Sequence, residues 1–225
     1  MSSIPVITID GPSGTGKGTL ALALKSTLGW HFLDSGALYR VLAYFAEQQG
    51  LSFDEHLRLG RLAEEMPIEF VDKSGEVAVI LADKDVTSTI RTEEAGRGAS
   101  LVAAIPEVRE GLFARQRAFR QAPGLVADGR DMGTVVFADA NLKLFLTASP
   151  EQRAQRRHKQ LIEKGMSANL ARLREDILER DQRDAERSIS PLKPASDAII
   201  LDTTSLDIES VTRQALALVQ DRGLT

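Results

Sequence analysis

Cysteine is absent from the 225-residue chain, which excludes a disulfide framework and any thiolate metal site and fits a reducing compartment. Histidine is almost as scarce. His31, His56 and His158 are scattered without HExxH or comparable spacing, so no structural zinc site is expected. Aromatic residues make up only 5% of the chain and the formal net charge is −4. A basic, aromatic-interleaved surface for gripping nucleic acid, or a cationic face for an anionic membrane, is therefore not expected. No apolar run approaches the about 20 residues that span a bilayer. The first strand-like run, Ile4 to Ile9, begins almost at the initiator methionine, so no signal or transit peptide is expected. These absences lead to the expectation of a cytoplasmic protein without membrane or nucleic-acid partners. Any binding of anions has to come from local clusters of arginine.

What is present is an ordinary globular composition, 43% hydrophobic, of a length that suits one domain. Pro5–Asp10, His31–Leu33, Leu125–Ala127, Leu142–Leu146 and Ala198–Leu201 read as buried strands. Helical patterns cover 17–28, 37–48, 54–65, 92–104, 106–121, 150 to near Gly165, 168–186 and 208–219. Ser149-Pro150-Glu151-Gln152 forms a capping box with proline in the first turn. Between helices, 68–72, 76–81 and 84–86 read as short strands joined by Lys73-Ser74-Gly75 and Ala82-Asp83, a small antiparallel meander carried as an insertion. Strands alternating with helices predict an α/β fold with a parallel sheet flanked by helices on both faces.

Gly11-Pro12-Ser13-Gly14-Thr15-Gly16-Lys17 matches GxxxxGK. Glycines let the backbone wrap around phosphate oxygens with its N–H groups inward, and the lysine adds a point charge over the β and γ phosphates. A glycine-rich turn with a solvated lysine is the plain alternative. The loop follows a buried strand and opens a helix, however, and that is the context phosphate binding requires. The residue after the lysine is Gly18, not Ser or Thr, and the hydroxyl comes next, at Thr19. Direct magnesium ligation at the usual slot is thus in doubt. Magnesium is expected to ride on ATP and waters, with Thr19 or Asp128 as candidates for direct contact and no dedicated protein metal site. Asp128, just past a strand, stands where a Walker-B aspartate would; an ordinary turn residue is the alternative.

Phosphoryl transfer also needs positive charge around the spreading oxygens, and arginine's planar fork suits phosphate. Arg153, Arg156 and Arg157 share one helix face, and Arg180, Asp184 and Arg187 are spaced to form a stripe on the next helix. Solvated faces with ion pairs are the alternative; few acidic residues lie near the first group in sequence. Arg40, Arg109 and Arg130 sit near predicted element ends. An acceptor that is itself a phosphate would need no catalytic base, whereas an alcohol acceptor would.

The blocks Ile9-Asp10-Gly11 through Thr19, Leu33-Asp34-Ser35-Gly36-Ala37-Leu38-Tyr39-Arg40, Ala127-Asp128-Gly129-Arg130-Asp131-Met132-Gly133-Thr134, and Glu179-Arg180-Asp181 with Arg183, Asp184 and Arg187 together resemble the bacterial cytidylate kinases from end to end. The resemblance implies a P-loop kinase with a parallel core, a lid, and a monophosphate-binding region enlarged by the small antiparallel β insertion. One kinase domain over 1–225 would comprise a core (1–61, 101–149, 188–225), an insertion at about 62–100, and lid and lid-arm helices at about 150–187. It implies transfer of the γ-phosphoryl of ATP to CMP or dCMP in pyrimidine nucleotide metabolism, with Mg2+ as cofactor. ATP would be held by Gly11, Pro12, Ser13, Gly14, Thr15, Gly16, Lys17, Gly18 and Thr19, and by the lid residues Arg153, Arg156 and Arg157. CMP would be held by Ser35, Tyr39, Arg40, Ser100, Arg109, Arg130, Asp131, Arg180, Asp184 and Arg187. Ser35, Arg40, Arg130 and Arg187 would take the phosphate, Ser100, Arg109 and Asp131 the cytosine edge, and Arg180 and Asp184 the ribose. Lys17, Arg130, Arg180 and Arg187 would be catalytic. The default expectation is a monomer, since a lid that opens at each turnover needs free surface.

Three rivals remain. A P-loop kinase acting on shikimate or a different monophosphate would use Asp34 as base at an alcohol. A GTP switch needs Asn-Lys-x-Asp, which does not occur. A nucleic-acid ATPase would want a basic, aromatic surface.

Overall fold

The computed structural model describes residues 4–73, 76–163, 165 and 167–224. The chain forms two compact units, Met1–Leu33 with Arg120–Thr225, and Asp34–Phe119.

The first unit is built on a five-stranded sheet ordered β2 (His31–Asp34), β6 (Leu125–Gly129), β1 (Val6–Asp10), β7 (Leu142–Thr147), β8 (Ile199–Asp202). The β1–β6, β1–β7 and β7–β8 pairs are parallel. β1 is buried along its whole length, as expected of a β-branched strand at the centre of such a sheet. Its Ile7 and Ile9 pack with Leu20, Leu24, Val211 and Val219 from helices α1 (Lys17–Leu28) and α8 (Ile208–Asp221). Two further helices, α6 (Pro150–Glu163) and α7 (Leu170–Glu186), complete the unit. Ser149 Oγ accepts the Gln152 N–H at 3.2 Å, one half of the expected capping box. Lys164, at the expected end of α6, lies outside the described residues.

The second unit holds α2 (Ser35–Gln48), α3 (His56–Glu65), α4 (Glu93–Val102), α5 (Pro106–Ala118) and the antiparallel sheet β3 (Ile68–Lys73), β4 (Glu76–Leu81), β5 (Lys84–Asp85). Of the two expected meander turns, the one through Ser74 and Gly75 lies outside the described residues. The other is a two-residue loop with Ala82 at φ 45° and Asp83 at φ 64°. Paired positive φ values match the right-handed twist of a hairpin. One Arg115 nitrogen caps the end of α3 through the carbonyls of Ala63, Glu64 and Met66, and Phe70 meets Phe119 edge to face at 5.5 Å.

Three local readings are corrected, and one turn was not expected. α7 stops at Glu186, so Arg187 is its extended C-cap (ψ 138°) and is not the third residue of a helical stripe. The chain turns there because the Leu192 N–H bonds to the Asp184 carbonyl, with Ser190 in the left-handed region. α7 begins at Leu170, capped by Asn169, and not at Ala168. β6 runs on to Gly129, which places Asp128 inside the strand. Met132–Val136 forms a π-helical turn that no periodicity suggested.

Candidate active site

β1 ends at Asp10, and the loop 11–16 carries the chain to α1. Gly11 has φ 141°, and a Cβ there would lie 2.1 Å from the Leu146 carbonyl, so only glycine permits this approach to β7. Gly16, at φ 94°, is the N-cap of α1 and offers no side chain to its first amides. Those amides and the helix dipole are left to attract an anion. The Lys17 ammonium donates to the Pro12 carbonyl at 2.7 Å and is only 6% exposed. Its pKa is lowered to about 7, chiefly by burial and then by Arg130, with Arg180 adding to the effect and Asp128 and Asp10 opposing it. A buried lysine crowded by two arginines favours a polyanion beside it.

The arginines are gathered by one carboxylate. Arg130 Nε donates to Asp184 Oδ2 at 3.1 Å, and Arg180 Nε lies 4.0 Å from the same oxygen. Asp131 is 2% exposed. Asp128 sits against Gly18, since an added Cβ would be 3.4 Å from its Oδ2. A carboxylate at the start of α1 suits a magnesium-bound water, and Thr19 lies exposed on the same turn.

The three arginines of α6 differ from one another. Arg153, 2% exposed, donates to the carbonyls of Ala148 at 3.0 Å and Ser13 at 3.1 Å, and its guanidinium forks onto Asp181 of α7. Acidic residues are few near this group in sequence, and the partner, Asp181, is brought alongside from α7. Arg156 donates to the Thr15 carbonyl at 3.4 Å and to Thr203 Oγ1 at 3.1 Å, and also reaches the carbonyls of Thr203 and Leu206. Arg157 donates to Gln160 Oε1 of its own helix at 3.4 Å. Arg187 Nε donates to the Ser190 carbonyl at 2.6 Å.

In the second unit, Asp34 caps α2 by accepting the Ala37 N–H at 3.0 Å, which engages the carboxylate that an alcohol kinase would need as its base. Ser35 follows, buried, and Arg40 donates to the carbonyls of Ile90 and Thr92 at 2.8 and 2.9 Å. The Arg109 guanidinium stands 5.8 Å from the centre of the buried Tyr39 ring and donates to the Ala103 carbonyl. Ser100 is buried, at 4% exposure.

Sequence reasoning gave no role to Asp10, Asp181 or Thr203. Thr203 Oγ1 donates within reach of both the Thr15 and Thr147 carbonyls, at 3.0 and 3.1 Å, pinning the loop to the end of β8. Asp10 accepts the Met132 and Gly133 N–H groups at 2.9 and 2.8 Å. Burial pushes its carboxyl up to about 6, against the lowering effect of those two amides; Asp131 raises it further and Lys17 lowers it. The one signal in the sequence was an acid closing an otherwise apolar strand.

The family model described as cytidylate kinase matches residues 7–221. Curated cytidylate kinases are similar over nearly the full chain. That of Stutzerimonas stutzeri is 57% identical over 223 residues, covering 98% of this chain and 97% of the relative. That of a Marinomonas species is 57% identical over 221 residues, with the same coverage, and that of Klebsiella pneumoniae is 52% identical over 221 residues, again at 98% and 97%. The family model spans nearly all of a chain that already carries a phosphate-type loop and a buried lysine, and the chain belongs to the cytidylate kinase family.

Proposed function

We propose that this protein transfers the γ-phosphoryl group of ATP to CMP and dCMP, giving ADP and CDP or dCDP. The observation that carries this reading is the gathering of Lys17, Arg130 and Arg180, close enough that both arginines lower the pKa of the buried lysine. The acceptor attacks through a phosphate oxygen that is already anionic, so no base is needed and catalysis rests on positioning and charge neutralisation. Lys17 exchanges its Pro12 carbonyl for the β and γ oxygens, and the bound polyanion restores its full charge. Gly11–Thr19 cradle ATP. Arg153 and Arg156 act by fixing that loop, and Arg157 closes over the nucleotide with the rest of the lid. Magnesium supplies Lewis-acid neutralisation of the phosphates when bound, with Asp128 and Thr19 as the groups that would hold its waters.

On the acceptor side, Ser35, Arg40, Arg130 and Arg187 take the phosphate of CMP. Arg180 and Asp184 hold the ribose. Ser100, Arg109 and Asp131 read cytosine, with Tyr39 supporting Arg109. The exocyclic amino group of cytosine donates to a carboxylate, whereas uracil would turn a carbonyl towards Asp131. Sites built on buried hydrogen-bonding groups reject such analogues by factors on the order of 10⁴. The working form is a cytoplasmic monomer of pyrimidine nucleotide metabolism, one kinase domain with its lid at about 150–187 and its monophosphate-binding insertion at about 62–100, without nucleic-acid or membrane partners. No described helix is long and apolar enough to cross a membrane.

Magnesium-dependent ADP formation from ATP, measured in parallel with CMP, dCMP, UMP, AMP, GMP and shikimate, tests the reading. Turnover confined to CMP and dCMP is expected. Preference for another acceptor discards the cytosine contacts, and silence with all six discards the kinase chemistry.

A further inference from the structure

The end of β1 carries a buried charge that no step above uses. Side chains alternate across a strand, so Ile7 and Ile9 enter the core with α1 and α8 while Thr8 and Asp10 face the other way. On that side lies the π-helical turn Met132–Val136. Asp10, 4% exposed, accepts the N–H of Met132 through Oδ1 at 2.9 Å and that of Gly133 through Oδ2 at 2.8 Å. These are the first amides of the turn, which no carbonyl inside it can satisfy. A carboxylate more than a hundred residues earlier does the capping instead.

The fit is close. A Cβ on Gly133 would stand 2.8 Å from Thr8 Oγ1, 3.2 Å from Lys143 Cδ and 3.3 Å from Asp10 Oδ2. Glycine is thus what lets the second amide reach its acceptor. The sheet fixes the other side of the same segment, because Asp10 pairs in register with Gly129, the last residue of β6. Only Arg130 and Asp131 lie between the strand end and the two capped amides. That two-residue span is held at both ends, and both holds run through Asp10.

We propose that Asp10 is a positioning residue for the acceptor half of the reaction, its paired amide contacts setting the direction in which Arg130 and Asp131 present their side chains to the nucleoside monophosphate. The inference rests on the reading of Arg130 and Asp131 given above. Both Asp10 oxygens act as acceptors, so the role requires a carboxylate. Asparagine keeps one acceptor and turns an N–H donor towards the other amide. Misplacing a reacting or recognising group by about 1 Å costs on the order of 10²-fold in rate.

The test compares full-length Asp10→Asn, Gly133→Ala and Asp131→Asn with the parent protein. It measures KM and kcat for CMP and UMP at saturating ATP, Kd for ATP by calorimetry without acceptor, and the chemical unfolding midpoint as a check of folding. Asp10→Asn and Gly133→Ala should each raise KM for CMP about tenfold or more and narrow the CMP-to-UMP ratio of kcat/KM towards that of Asp131→Asn, with Kd for ATP changed less than about twofold. An unchanged KM for CMP in folded Asp10→Asn overturns the inference. So does an ATP Kd weakened as much as the acceptor KM, because Asp10 would then act through the phosphate loop. If Asp10→Asn does not fold, Gly133→Ala decides by the same two readouts. A wild-type ratio retained in Asp131→Asn removes Asp131 from base reading, while the KM for CMP in Asp10→Asn still decides whether Asp10 orients Arg130.

Discussion

The arginines of α6 and the cations around Lys17 have the same look in sequence and opposite situations in the fold. Arg153 and Arg156 donate to the carbonyls of Ala148, Ser13, Thr15, Thr203 and Leu206, and Arg153 adds a fork onto Asp181. Their charge is answered within the protein. Around Lys17, by contrast, Arg130 and Arg180 both approach the Asp184 carboxylate and press on the lysine, whose pKa falls to about 7 against the opposing effect of Asp128 and Asp10. The first group ties the phosphate loop to the rest of its unit; the second crowds two arginines on a buried lysine, with Asp128 and Asp10 as opposing charges. Helical spacing of arginine therefore signals a cationic face without saying which of these uses it serves.

The sharpest way to break this comparison is at its centre. Lys17→Ala should abolish turnover with every acceptor, a loss of at least about 10³-fold, read as ADP formation; near-normal activity would end the phosphate-loop mechanism. Arg130→Ala should lower kcat/KM for CMP by about 10²–10⁴-fold, measured per folded molecule. Arg153→Ala should do the reverse in kind. It leaves Asp181 and two carbonyls without their donor, and breaking a buried pair of this sort costs about 3 kcal/mol, to be read by urea unfolding, with activity per folded molecule falling less than in Arg130→Ala.

The smallest effect is in the pH dependence of stability. Asp10 has its pKa raised from 3.8 to about 6, so its contribution is fully present below about pH 3.8 and is lost as pH rises through 6. Lys17 is lowered from 10.5 to about 7, so its contribution is present above pH 10.5 and is lost as pH falls through 7. Both groups therefore weigh against the fold near neutrality. Unfolding midpoints of Asp10→Asn and of the parent protein should converge below pH 4 and separate between pH 4 and 6. Parallel curves across that window would remove the burial effect at Asp10.

How much was legible follows from the range of the interactions. The strand–loop–helix of residues 6–28 could be read because its signals are local: β-branched residues, glycines that allow positive φ, a helix opened at Lys17 and closed at Gly29. The antiparallel insertion was readable in part through its Ala82-Asp83 turn. Parallel pairing of β1 with β6 and β7 followed only as a class, since no local pattern fixes strand order or register. The π-helical turn had no periodic signature, because its amides are satisfied by Asp10 from another part of the chain. Asp181 was invisible as the partner of Arg153 for the same reason; the end of α7 at Glu186 was legible, whereas the turn that takes Arg187 out of the helical stripe depends on Leu192 and Ser190 and was not. Asp10 and Asp181 stand in the motif blocks beside candidate site residues, but nothing local to either shows which distant group it holds.

The peptide planes of the phosphate loop carry a further consequence. The Ser13 carbonyl accepts from Arg153, and the Thr15 carbonyl accepts from Thr203 and Arg156. Because a trans peptide unit is flat, its C=O and the following N–H point in opposite directions. Fixing the two carbonyls towards α6 and β8 therefore aims the N–H groups of Gly14 and Gly16 the other way. The orientation of those donors is thus inherited from folding and needs no search when a nucleotide arrives, so nucleotide capture by the loop should show a small entropic penalty for backbone ordering.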